Sequence, residues 1–202
     1  MFCLRVPTDP AWVALAMRDV DAVLRDHAHC EMKAASNALS LAARHPKNVA
    51  LVRALAEIAR EEIEHFQRVL AILEARGIDL GAPPVDEYAA ELRKAASSLP
   101  RDEVGAVIDR LLVAALIEAR SCERFKLLVD ALAEDPARAE LHAFYKELFA
   151  AEARHYRTFV DLAIATCSDE ARVTARLAKL AEREGAIVAA LARAADRATV
   201  HG

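Results

Sequence analysis

EIEHFQRV (62–69) and EARHYRTF (152–159) are the stretches that decide the fold. Each carries Glu-x-x-His, Glu62 with His65 and Glu152 with His155, and a separation of three puts both side chains on one face of a helix. Alternating steps of four and three through the first stretch read Leu51, Leu55, Ile58, Glu62, His65, Val69, Ile72. Through the second they read Leu141, Tyr145, Leu148, Glu152, His155, Phe159, Leu162. Both are core-facing apolar seams, and both are interrupted at the middle by an acid and an imidazole. The same template finds two more seams. One reads Val107, Leu111, Ala114, Glu118, Ser121, Phe125, Leu128, and the other Val20, Leu24, His27, Glu31, Ala34, Ala38, Leu41. Each again has one central glutamate.

Composition supports helices throughout. The chain has 202 residues, 46 of them Ala and only 5 Gly, and Ala has the best helix propensity of all residues. Aromatic residues make up 5% of the chain and β-branched residues are scattered, which argues against a sheet. Punctuation then divides the chain. Thr8-Asp9-Pro10 opens a short helix carrying Trp12. Long helices are expected over 18–44, 48–76, 100–133 and 136–167, with an additional helix over 168–197. Gly77 reads as a left-handed cap, and a short helix is expected near 88–97. Short turns make the first and second long helices one antiparallel hairpin, and the third and fourth another. The 77–99 connection is long enough to cross over. The expected class is therefore all-α: a ferritin-like four-helix bundle with one crossover connection plus extra short and C-terminal helices, in a single domain over 1–202.

In that arrangement Glu31, Glu62, Glu118 and Glu152 lie at the midpoints of the four long helices, with His65 and His155 beside them. Four buried carboxylates repel one another or take up protons. Two divalent cations remove the conflict. One Glu from each of two helices and Glu-x-x-His from the other two is the di-iron or di-manganese carboxylate pattern, and an oxygen-rich donor set suits iron or manganese better than structural zinc. The expected metal ligands are Glu31, Glu62, His65, Glu118, Glu152 and His155, with no further catalytic residue. Glu123 reads as an ion pair with the neighbouring Arg120 and Arg124 rather than a ligand. Glu61 reads equally as a support for a ligand histidine and as a solvated residue. His27, one turn before Glu31, reads as a satisfied core histidine in preference to a support for that ligand, and Tyr145 as packing in preference to a redox residue.

Other classes are narrowed by charge and cysteine usage. Net charge is −4, so a nucleic-acid partner would need a local basic face. The final helix offers a stripe of Arg172, Arg176, Lys179 and Arg183, continued by Arg193 and Arg197, which reads about equally as an ordinary solvated face. Cys3, Cys30, Cys122 and Cys167 form no CxxC pair and read as reduced packing residues. The longest apolar runs, 111–117 and 186–192 among them, are seven residues each, too short to span a bilayer. The N-terminus has no signal-peptide pattern, so a cytoplasmic protein is expected.

DHAHCEMKAASNALSL around Glu31, REEIEHFQRVL around Glu62, LIEARSCERF around Glu118 and EARHYRTFVDLA around Glu152 resemble the bacterial tRNA 2-methylthio-N6-isopentenyladenosine hydroxylase family. The resemblance runs from about Leu4 to Leu180. It implies a non-haem di-iron monooxygenase that uses O2 to hydroxylate the isopentenyl side chain of the modified adenosine in tRNA. It places the family's ligands on the same six residues. Ala151 departs from the wider di-iron pattern, in which an acid often precedes the Glu of Glu-x-x-His. The chain has no Gly-rich dinucleotide loop, so electrons would come from an external reductase. The oligomeric state, monomer or dimer, stays open. The bare metal pattern is also shared by iron-oxidising ferritins, by rubrerythrin-like or manganese-dependent peroxide-reducing proteins and, without metal, by a plain interaction bundle.

Overall fold

The computed structural model describes residues 2–100, 105–133 and 135–192. Helices dominate because nearly every punctuation signal in the sequence is used as a cap. Among the described residues they are α1 (Ala11–Arg18), α2 (Val20–Arg44), α3 (Val49–Ala75), α4 (Glu87–Ser98), α5 (Gly105–Leu132), α6 (Ala139–Cys167) and α7 (Glu170–Ala192), with no strand. The side chains of Asp19, Asn48, Asp86 and Asp169 each accept the backbone N–H three residues on, at 2.9–3.1 Å. These caps satisfy amides that have no partner inside the helix. Gly77, at φ +67°, closes α3 in the left-handed region, and the Ile78 N–H donates to the Leu73 carbonyl at 2.9 Å.

The boundaries differ from expectation in small ways with identifiable causes. The first long helix starts at Val20 rather than 18, because Asp19 is its cap. Pro136–Arg138 forms a single 3-10 turn capped by Asp135, so α6 begins at Ala139. The helix expected over 168–197 is observed over Glu170–Ala192. Residues 101–104 and the expected continuation through Arg193 and Arg197 lie outside the described residues.

The described chain falls into two compact units, Arg18–Val85 and the remainder. The first is the antiparallel hairpin of α2 and α3. Its seam residues Leu24, Ala38, Leu41, Leu51, Leu55, Ile58 and Val69 are buried. Its open end is tied by an Arg76–Asp21 ion pair at 2.6 Å and by Arg25 Nε donating to the Asp79 carbonyl at 3.2 Å.

The second unit is built on the antiparallel hairpin of α5 and α6. Its register is read from Cys122 Sγ, which donates to the Phe149 carbonyl at 3.2 Å, and from the Phe125 and Tyr145 rings, whose centroids are 5.3 Å apart. On another face of α5, Arg120 is fully buried and ties its own helix to two other segments. Its Nε and Nη2 donate to Glu184 of α7 at 2.9 and 3.0 Å. Its Nη1 reaches Thr8 Oγ1 at 3.1 Å and Glu123, and Nη2 also reaches the Val6 carbonyl at 2.9 Å. Tyr88 of α4 donates to the same Glu184 carboxylate at 2.9 Å. Burial pushes the Glu184 carboxyl above its ordinary range, and the Arg120 charge and hydrogen bonds oppose that push. Gly185 continues α7 rather than breaking it. A Cβ there would lie 2.8 Å from Val6 Cγ2, so glycine is what lets the N-terminal segment press against the helix.

A buried charge left without its partner is costly. Arg120→Met is expected to lower unfolding free energy by about 3–5 kcal/mol in urea titration. Lys126→Ala, which removes only the exposed Lys126–Asp130 pair, should cost about 0.5 kcal/mol or less. Equal losses for the two variants would contradict a buried, charge-dependent junction.

Candidate metal centre

In the Arg18–Val85 unit, Glu31 comes from the middle of α2 and Glu62 and His65 from the middle of α3. All three are buried, and each offers a ligand atom within 4.8 Å of the others. His65 Nδ1 is 3.3 Å from Glu62 Oε2 and 3.6 Å from Glu31 Oε2. His27, one turn before Glu31 and fully buried, places Nε2 2.5 Å from Glu31 Oε1. His27 is thus a buried core histidine, as its place on the seam predicts, and its partner is the Glu31 carboxylate, which it helps to orient.

The second unit repeats the motif. Glu118 of α5 and Glu152 and His155 of α6 are buried, with ligand atoms again within 4.8 Å of one another. His155 Nδ1 is 3.5 Å from Glu152 Oε2. One helical turn beyond Glu118, burial and the Glu152 charge push the Cys122 thiol up to about 12. It is therefore a neutral packing group and not a thiolate donor. Tyr145 lies edge-on to Phe144, with centroids 5.2 Å apart, as expected of a packing aromatic.

The donor chemistry of each triad fits a hard or intermediate divalent cation. Two carboxylates and one imidazole, out of water and with no thiolate, suit iron or manganese. One divalent cation per triad balances the two carboxylate charges, which removes the penalty of burying them.

Two other expectations are settled by side-chain placement. Glu123 accepts from Arg120, and from the Thr8 N–H at 3.1 Å and hydroxyl at 2.6 Å, as befits an ion pair and not a ligand. The basic stripe on the last helix does not survive as a single exposed face. Arg176 is buried and grips Asp109 through Nε and Nη2 at 2.7 and 2.8 Å, and its Nη1 donates to the Pro100 carbonyl. Arg172, Lys179 and Arg183 remain exposed, with Arg172 paired to Asp169.

Comparison with known proteins agrees with these observations. The family model described as tRNA-(MS[2]IO[6]A)-hydroxylase (MiaE) matches residues 1–198. A Pseudomonas putida protein named tRNA 2-(methylsulfanyl)-N(6)-isopentenyladenosine(37) hydroxylase is 41% identical over 160 residues, 79% of this chain and 74% of that protein. A Salmonella typhimurium protein of the same name is 29% identical over 234 aligned positions, 92% of this chain and 83% of that protein. Among solved structures, a Synechococcus protein with aldehyde deformylating oxygenase activity superposes with TM-score 0.85 at 38% identity, over 100% of this chain and 96% of that one. The fold is all-α and ferritin-like, as read from the sequence. Among the described residues no helix is long and apolar enough to cross a membrane. A family match spanning almost the whole length, on a scaffold that buries two Glu, Glu-x-x-His triads, shows that this chain belongs to the MiaE family of tRNA hydroxylases.

Proposed function

We propose that the two triads hold one iron pair, one ion ligated by each, and that the chain hydroxylates the isopentenyl side chain of 2-methylthio-N6-isopentenyladenosine in tRNA. The observation that carries this reading is the duplication itself: two buried triads of identical composition, each with two carboxylates whose charge one divalent cation would balance. When bound, the irons supply the O2 and C–H chemistry that protein side chains lack. The balance is one C–H bond, one O2, two electrons and two protons, giving one C–OH bond and one water.

The chain's own residues do the rest. Glu31, Glu62, Glu118 and Glu152 neutralise the ions, and His65 and His155 complete the two shells. His27 holds the Glu31 carboxylate through the 2.5 Å contact at Oε1. The surrounding apolar seam, including Leu24, Leu55, Leu111 and Leu148, keeps bulk water from the reacting groups. The two electrons come from an external reductase, since the sequence contains no nucleotide-binding loop to supply them. A storage or ferroxidase protein would share the metal shell but leave tRNA nucleosides unchanged.

Purified protein is expected to hold two irons per chain, and Glu62→Ala or His155→Ala to lose metal and hydroxylation together. Full iron content in both variants would overturn the ligand assignment. Nucleoside mass spectrometry of tRNA tests the substrate. Cells lacking the protein should accumulate the isopentenyl nucleoside, and restoring the gene should convert it to a species heavier by one oxygen. An unchanged nucleoside profile, with the protein present and iron-loaded, would reject tRNA as substrate.

A further inference from the structure

Ser121 occupies, on α5, the position three residues after the ligand glutamate that α3 and α6 give to histidine. It is only 2% exposed, and its hydroxyl has no hydrogen-bond partner among the described residues. That is unusual for a serine inside a helix, which ordinarily donates to a carbonyl three or four residues back. Ser97, Ser98 and Thr158 of this chain do so, at 2.8–2.9 Å. Alanine at position 121 would favour the helix and bury no polar atom. The hydroxyl is a local cost that a ligand would offset.

The register of α5 on α6 says where that ligand lies. Cys122 is level with Phe149, and Phe125 with Tyr145, so residue numbers rise on α5 as they fall on α6. Ser121 therefore lies on one side of the Glu118 and Glu152 level, and His155 on the other. The next layer beyond Ser121, formed by Phe125, Tyr145 and Leu148, is buried and apolar but for the Tyr145 hydroxyl. On this side of the triad the α5 and α6 seams supply no imidazole, and Ser121, three residues from Glu118 on the same seam, brings a hydroxyl instead.

We propose that Ser121 is a positioning residue whose hydroxyl donates a hydrogen bond to a small exogenous anion taken up by the metal centre on the side away from His155. The proposal rests on the iron-pair reading above. Azide is the probe, titrated into oxidised, iron-loaded protein and followed by its charge-transfer absorption. Ser121→Ala should keep two irons per chain and an unchanged melting temperature while azide affinity falls roughly tenfold, the effect of one lost hydrogen bond. Ser121→Thr, which keeps the hydroxyl, should restore affinity to within about threefold of the unaltered protein. An azide affinity in Ser121→Ala within about twofold of the original, with iron retained, would overturn the proposal and leave the iron pair standing. Loss of iron from Ser121→Ala, or no azide binding to the iron-loaded unaltered protein, would also overturn it. An unaltered protein that takes up no iron pair removes both readings at once.

Discussion

Two carboxylates placed out of water within 4.8 Å of each other and of an imidazole are the constraint around which each unit is organised. Such a group is unstable by itself, because neither charge can be solvated and the two repel. A divalent cation turns the same geometry into a stabilising element, since metal binding to the folded state adds directly to its stability. The seams around each triad follow from this. The ligands must come from the middle of long helices, where caps and fraying ends are distant, and must be flanked by apolar residues on the same face. His27 then fixes the one glutamate of its hairpin that has no histidine three residues on.

A second demand falls on α5. Glu118 faces the triad, so the other sides of the same helix must be held against the rest of their unit. Arg120 does this with a full set of donors, reaching α7 through Glu184, the N-terminal segment through Val6 and Thr8, and its own helix through Glu123. A guanidinium suits the task because its planar fork can serve several acceptors in fixed directions. Arg176 repeats the device on α7, clamping Asp109 of α5. These buried ion pairs locate helices relative to one another inside the unit and leave the triad side of α5 for its ligands.

What was legible in the sequence is what local periodicity carries. The four seams, the left-handed Gly77 and the six candidate ligands all follow from spacing and punctuation within a helix. Pairings across long separations do not. Arg120 and Glu184 are 64 residues apart, and Arg176 and Asp109 are 67 apart, so neither pair leaves a local signature. For that reason Arg176 reads in sequence as part of an exposed basic stripe, although its charge is spent on Asp109. The role of Gly185 leaves no local signature for a similar reason, because the Val6 side chain that needs its missing Cβ comes from the opposite end of the chain. The third seam also carried Ser121 in plain view, but only the structure shows its hydroxyl buried and unpaired.

Mössbauer spectroscopy of the iron-loaded, oxidised protein tests most directly whether the two triads serve one centre. Two ferric ions bridged within a single shell couple antiferromagnetically, so the spectrum should show quadrupole doublets alone at low temperature, with no magnetic splitting and no ferric electron paramagnetic resonance signal. Two separate high-spin ferric ions, seen as magnetically split spectra with a matching resonance signal accounting for all the iron, would contradict the shared centre.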